Sequence, residues 1–131
     1  MFRTIRYQYP AILWSIMVLV LCNLPPSSFN KVPAFPGIDK LVHTGFFFVL
    51  TVFLFFGKIR QQHSFSYRIL TIVKIILLTG FLGGGIELLQ LEVFTYRSAD
   101  WWDFFADMTG VGMGVFSYIL LHRSNYDEKS V

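Results

Sequence analysis

Several carboxyl groups are closely spaced in an apolar part of the sequence, within residues 97–114 (RSADWWDFFADMTGVGMG). Asp103 and Asp107 are four residues apart, so a helix would place both carboxyl groups on one face. Asp100 and Arg97 stand just before them. Ionisable side chains inside a membrane helix are costly, and they usually face a partner or serve a function. The spacing therefore indicates a polar site.

Polar side chains at helical spacing also occur in two earlier segments. Glu87 and Gln90 are three residues apart, and Asp39 and His43 are four residues apart, with Lys40 next to Asp39. Each pair is therefore expected on one face of a helix. Carboxylates and a histidine could transfer protons, and they could also bind a ligand or a cation.

Two carboxylates held at one depth in a medium of low dielectric repel each other. One of them must then carry a proton, or a cation must lie between them. Arg97, Lys40 and protonated His43 are the internal candidates, and a divalent metal ion at the acidic cluster is the external one. Magnesium and manganese favour carboxylate ligands, whereas a single histidine argues against zinc. The sequence itself requires no cofactor.

The composition assigns the chain to the integral membrane class. Of its 131 residues, 54% are hydrophobic and only 15% are charged, and the mean hydropathy is +0.55. An ordinary soluble domain is less apolar. The sequence pI near 9.2 would suggest nucleic-acid binding in a soluble protein, but here the basic residues are better explained as topology signals. We expect no nucleic-acid partner, and the single cysteine, Cys22, excludes an internal disulfide.

Four apolar spans predict an all-α, four-helix membrane bundle that occupies residues 1–131 as a single domain. The predicted helices cover about residues 9–24, 39–57, 69–94 and 101–121, and a membrane helix needs roughly 17–25 mostly apolar residues. The first span could be a signal peptide, but no small-residue cleavage site follows Leu24, which favours a retained helix. The proline-rich segment 25–38 cannot be helical throughout, and the tail 122–131 is expected to fray.

The distribution of basic residues predicts the orientation. With four spans, the N-terminus, the 58–68 connection and the tail share one side and carry seven Lys and Arg residues, whereas the other side carries three. The positive-inside rule therefore places both termini in the cytoplasm. Six of the eight acids fall toward the opposite, outer end, so we expect the polar groups to form an outward-facing pocket.

The short connection at residues 95–100 should make the third and fourth spans antiparallel neighbours. Glu87 and Asp107 each lie seven residues from the helix ends that this connection joins, so both should lie about 10 Å below the outer surface. Gly110 and Gly114 form a small-residue face that permits close approach of the neighbouring helix. Aromatic residues at 94–102 are typical of an interfacial belt.

The order of these motifs resembles that of VanZ-like membrane proteins. DKLVHTGFFF at 39–48 looks like the Asp-Lys-x-x-His start of a helix in that family. ELLQ at 87–90, then Arg97, then DFFADMTGVGMG at 103–114 look like its Glu-x-x-Gln, Arg and Asp-x-x-x-Asn-x-x-Gly-x-x-x-Gly signature, with Asp107 where the family has asparagine. The resemblance covers about residues 10–121. It implies a small multi-pass protein of the bacterial cytoplasmic membrane, linked to resistance to the glycopeptide teicoplanin and without an established reaction.

The expected site combines groups from the last three spans. Its candidate ligand-binding residues are Asp39, Lys40, His43, Glu87, Gln90, Arg97, Asp100, Asp103 and Asp107. The candidate catalytic residues among them are His43, Glu87, Asp103 and Asp107. Helix capping could instead explain Asp39 and Asp100. Hydrogen bonds between helices could explain Glu87 and Gln90, and Arg97 could be an interfacial anchor.

Three functions are compatible with this pattern. The first is binding of an amphipathic envelope molecule, such as a lipid-linked cell-wall precursor or a glycopeptide, without turnover. The second is catalysis by an integral membrane enzyme on a lipid-linked substrate. The third is a structural or assembly role, alone or in an oligomer, in which the polar residues only lock the helix bundle. Membrane lipids are partners in every case.

Overall fold

The computed structural model describes residues 2–29, 35–62, 69–96 and 98–129. These residues form four α-helices, α1 (Phe2–Cys22), α2 (Ile38–Gln62), α3 (Ile69–Glu92) and α4 (Trp101–Lys129), together with a short 3₁₀-helix at Pro26–Phe29. The described residues contain no strand. Each α-helix includes a segment long and apolar enough to cross a membrane. The prediction of four helices is confirmed for these residues, and the helices are compatible with a multi-pass membrane protein.

The helices extend beyond the predicted apolar spans at three of their ends. α1 begins at Phe2 rather than near residue 9, and Pro10 lies inside it. α2 continues to Gln62 rather than 57, and α4 continues to Lys129 rather than 121. These polar extensions contain neither glycine nor proline, so nothing in them terminates a helix where the apolar stretch ends. α3 ends two residues before its predicted limit.

A tight turn sets the start of α2. The backbone N–H of Ile38 donates to the carbonyl of Phe35, and that of Leu41 donates to the carbonyl of Gly37. Gly37 has a φ of +86°, which a glycine adopts without the steric cost that a side chain would impose. This turn brings Asp39 and Lys40 into the first turn of α2.

α2 is the central helix of the bundle. It packs most extensively against α4 and then against α1, whereas α3 packs mainly against α4 and only slightly against α2. α3 and α4 are therefore neighbours, as predicted, but the glycine face of α4 serves another contact. A Cβ on Gly110 would overlap the carbonyl oxygen of Thr44 in α2, and one on Gly114 would lie 2.7 Å from the side chain of Thr51. The small-residue face lets α4 approach α2, not α3.

The buried core lies along this central contact. Phe47 and Leu50 of α2, Ile86 of α3 and Val111 of α4 are almost fully buried. Such packing is driven by dispersion and shape rather than by water exclusion within a bilayer. In contrast to these core residues, the side chains of Trp101 and Trp102 are 81% and 66% exposed. The apolar packing holds the ends of α2, α3 and α4 together, where the polar residues converge.

Candidate functional site

Lys40 is the centre of the outermost group of polar side chains. Its ammonium nitrogen Nζ lies 2.9 Å from Asp100 Oδ2, 3.0 Å from Asp103 Oδ1 and 3.4 Å from Asp39 Oδ2. Asp103 is buried, whereas the Lys40 side chain is 37% exposed. One ammonium group therefore contacts three acids, from α2, from α4 and from the connection between α3 and α4, at the boundary between the buried interior and the surface.

The start of α4 determines where two of these acids lie. Asp100 caps the helix, because its Oδ1 accepts a hydrogen bond of 3.0 Å from the backbone N–H of Trp102. The hydrogen bond from Lys40, with the cap bond second to it, holds the pKa of Asp100 below its ordinary value of 3.8. Asp103 follows in the first turn of α4. The capping role considered for Asp100 is therefore real, and the residue has an ionic role as well.

His43 and Asp107 form a second pair, one turn deeper. His43 follows Lys40 by three residues on α2, and Asp107 follows Asp103 by four on α4. His43 Nδ1 lies 2.9 Å from Asp107 Oδ1, which is a hydrogen-bond distance, and both side chains are buried. The Lys40–Asp103 and His43–Asp107 contacts are thus stacked along the α2–α4 interface. Asp107, which capping cannot explain, has a defined internal partner.

The second carboxyl oxygen of Asp107 points toward α3. A Cβ placed on Gly83 would lie 2.9 Å from Asp107 Oδ2, so the glycine leaves the space that this carboxyl group occupies. Asp107 Oδ2 is buried and accepts no hydrogen bond from the described residues. A buried acceptor without a donor costs roughly 1–3 kcal/mol, and more when it is charged. The pair with His43 therefore leaves Asp107 incompletely satisfied.

Glu87 connects α3 to the beginning of α4. Its Oε2 accepts a hydrogen bond of 2.9 Å from the backbone N–H of Asp100, whereas its buried Oε1 has no partner among the described residues. Glu87 is thereby joined to the Lys40 group through Asp100. The shared location that was predicted for Glu87 and the aspartates of α4 is present, but no direct bond joins their side chains.

Gln90 faces α1 instead of this acidic group. Its Nε2 donates a hydrogen bond of 2.8 Å to the carbonyl oxygen of Cys22, and its buried Oε1 has no partner in the described part of the chain. The alternative role of a helix-to-helix link accounts for this contact. The carbonyl of Cys22 lies at the C-terminus of α1, where no intrahelical donor remains.

The C-terminus of α1 contributes residues that sequence reasoning did not place in the site. The side chain of Cys22 lies close to that of His43, and the carbonyl of Asn23 accepts a bond of 2.7 Å from the hydroxyl of Tyr96. The only signal was the polar pair Cys22-Asn23 between an apolar span and two prolines. That pair gives no indication of which helix it meets.

Arg97 lies outside the described residues. Among the described residues, no three His, Cys, Asp or Glu side chains are arranged to hold a metal ion. The ammonium group of Lys40 lies between Asp100 and Asp103, in the position that a bridging cation would take. The described part of the site carries five carboxyl groups, from Asp39, Glu87, Asp100, Asp103 and Asp107, against the side chains of Lys40 and His43.

The chain was compared with protein-family models, with curated proteins and with solved structures, and none of them matches it.

Proposed function

We propose that this chain is a VanZ-like protein of the bacterial cytoplasmic membrane, and that its polar site binds the head group of an amphipathic envelope molecule from the outer side. The order of the motifs around His43, Glu87 and Asp103 supports the family assignment. The excess of basic residues near both termini supports the orientation. A lipid-linked cell-wall precursor is the ligand class that combines a long apolar chain with a polar head.

The observation that carries this proposal is the unfilled hydrogen-bonding capacity of two buried acids. Glu87 Oε1 and Asp107 Oδ2 are both buried, and neither accepts a bond from the described residues. The excess of carboxyl groups among the described residues of the site also favours a ligand that brings donors or positive charge. Sugar hydroxyl and amino groups provide both, and they occur in cell-wall precursors and in glycopeptides.

The proposed entrance is the exposed edge of the Lys40 group. Lys40 and Asp100 are partly exposed, and ion pairs that reach solvent are weak enough to rearrange. A head group that displaced Lys40 from Asp100 would gain access to the acids beneath. The apolar part of the ligand would remain against the lipid-facing surfaces of α3 and α4, where Leu88 and Phe105 are exposed.

Glu87→Gln is the substitution that tests this binding site. The glutamine keeps an oxygen that can accept from the Asp100 N–H, but it presents an NH₂ group where Oε1 was free to accept. We expect the fold to be retained and precursor binding to fall roughly tenfold or more, as for the loss of a charge-assisted hydrogen bond. Native mass spectrometry of the detergent-solubilised protein, incubated with a purified lipid-linked precursor, measures the retained ligand. A separate incubation with teicoplanin measures binding of the glycopeptide.

Glu92→Gln is the matched control, because Glu92 stands five residues further along the same sequence and is exposed. Unchanged precursor retention in Glu87→Gln would remove the acidic group from ligand recognition. It would then leave the structural role, in which these residues only hold the bundle together. Equal losses in both variants would indicate a general effect of charge rather than a site.

An enzymatic function is the second candidate, and the His43–Asp107 pair favours it. A carboxylate that holds one imidazole nitrogen orients the histidine for proton transfer at the other. Cys22, whose side chain lies close to His43, adds a thiol to this arrangement. Incubation of wild type and His43→Gln with the same precursor, followed by mass spectrometry of the lipid fraction, separates the candidates. A product formed only by wild type supports catalysis, and an unchanged lipid supports binding alone.

A further inference from the structure

A groove runs between α1 and α3, near the helix ends that lie opposite the polar site. Two adjoining cavities of about 360 and 370 Å³ form it, and they share Gln8, Leu54 and Leu78 as lining residues. α1 makes its main contacts with α2, and α3 makes its main contacts with α4. The two outer helices therefore leave a space between them, with α2 as its floor.

The polarity of the groove changes along its length. The part nearer the middle of the bundle is lined almost entirely by apolar side chains, including Ile16, Leu50 and Leu82. The other part opens between two lysines, Lys58 of α2 and Lys74 of α3. A molecule that fits both parts has an apolar chain and a head group with negative charge.

The groove has the dimensions of one leaflet. Its lining residues on α1 extend from Thr4 to Ile16, which corresponds to about 18 Å at 1.5 Å per residue. Half of a hydrocarbon core of about 30 Å is roughly 15 Å. A single acyl chain that followed the groove would therefore start at the level of the head groups and end near the bilayer centre.

The described side chains around the open end carry positive charge. The sequence has no acid from residue 1 to 38 or from residue 40 to 86. Within the described residues, neither Lys58 nor Lys74 forms a salt bridge. Lysine stems can lie along an apolar surface while the ammonium group reaches the interface. Each such lysine attracts anionic lipid by about 1 kcal/mol.

We infer that this groove binds an anionic phospholipid from the leaflet at that end, with one acyl chain between α1 and α3 and its phosphate group at Lys58 and Lys74. The site is separate from the Lys40 and His43 groups, which lie at the other end of the bundle. Lipid binding here is therefore independent of whether the polar site binds a precursor.

Two pairs of variants test the two halves of this inference. Lys58→Gln/Lys74→Gln removes the proposed phosphate contacts, and Arg6→Gln/Arg60→Gln removes two exposed charges that do not line the groove. Leu78→Trp fills the groove, whereas Leu77→Trp adds the same bulk on the neighbouring residue. Leu78 and Leu77 are 56% and 66% exposed, so both tryptophans are compatible with the fold.

The measurement is native mass spectrometry after incubation with phosphatidylglycerol or, separately, phosphatidylcholine. We expect wild type to retain phosphatidylglycerol in preference to phosphatidylcholine, and the double lysine variant to bind it about thirtyfold more weakly. Leu78→Trp should retain less of both lipids. The arginine double variant and Leu77→Trp should behave as wild type.

Three results would overturn the inference. One is equal phosphatidylglycerol retention in wild type and the double lysine variant. Another is an equal loss in the arginine control, which would indicate diffuse attraction to the charged surface. The third is a dimer mass that disappears in Leu78→Trp alone, because it would assign the groove to a second copy of the chain. The lysine variants decide the matter even if a tryptophan variant fails to fold.

Discussion

His43 and Asp107 join α2 to α4 inside the bundle, with 2.9 Å between Nδ1 and Oδ1 and both side chains buried. This contact lies on the same helix interface as the approach of Gly110 to Thr44. The polar pair and the glycine contact depend on each other, because the imidazole reaches the carboxyl group only where the helix backbones are close. A polar pair of this kind specifies which faces of two apolar helices meet.

Replacement of Asp107 separates the hydrogen bond from the charge. Asp107→Asn keeps an oxygen that can accept from His43 and introduces the residue of the VanZ-like signature, so we expect a folded protein. Asp107→Ala leaves His43 without this partner and should lower the free energy of unfolding by roughly 1–3 kcal/mol, the typical cost of leaving a buried hydrogen-bonding group unsatisfied. Thermal unfolding in detergent ranks the variants. An alanine variant as stable as wild type would show that the pair contributes nothing to the fold.

Gly110→Ala should be among the most damaging small substitutions in α4. The added methyl group would overlap the backbone carbonyl of Thr44, and a backbone atom cannot move aside as a side chain can. Overpacking of this kind costs about 1–3 kcal/mol, and it should separate α4 from α2. Gly112→Ala is the control, because nothing lies within 4 Å of its added carbon. Equal thermal stability of the two variants would contradict the α2–α4 packing.

The Lys40–Asp100 pair predicts a dependence of stability on pH. The pKa of Asp100 is lowered by its hydrogen bond with Lys40, so the pair stabilises the fold fully above the ordinary value of 3.8 and loses its contribution as the pH falls through the lower, folded value. Asp100→Asn keeps a good helix cap but removes the charge. We expect wild type to exceed this variant in melting temperature at pH 6 and the difference to shrink as the pH falls below 3.8 through the lower, folded value. A difference independent of pH would assign the effect to the cap.

Local patterns were sufficient to predict the helices and the faces on which the acids lie. The apolar stretches locate all four helices, and the four-residue spacing of Asp103 and Asp107 places both on the side of α4 that meets α2. The helix ends were less predictable. Polar segments without glycine or proline, such as residues 58–62, continue a helix because they contain no residue that strongly disfavours the helical conformation.

The pairing of groups from different helices could not be read from spacing. Lys40, His43 and Arg97 were equivalent candidates for the counter-ion, whereas in the structure Lys40 pairs with Asp103 and His43 pairs with Asp107. The short α3–α4 connection suggested that the glycine face would meet α3. Shape complementarity with Thr44 and Thr51 selects α2 instead, and such complementarity depends on contacts more than 60 residues apart in the chain. The proximity of Cys22 to His43 was missed because these residues also lie on different helices.

The orientation of the bundle can be tested by labelling single cysteines with an impermeant thiol reagent. The prediction rests on seven basic residues on the side of the termini against three on the other. In a Cys22→Ser background, Ser28→Cys lies in the 3₁₀-helix after α1, and it should react in intact cells. Ser64→Cys, in the connection between α2 and α3, should react only after the membrane is permeabilised. The reverse pattern would place the Lys40 group in the cytoplasm, where it could not receive an envelope ligand from outside. Labelling at position 28 in intact cells would support the outward-facing site. Residue 28 follows the end of α1 and precedes the start of α2, so it lies on the same side of the bundle as Cys22 and the Lys40 group.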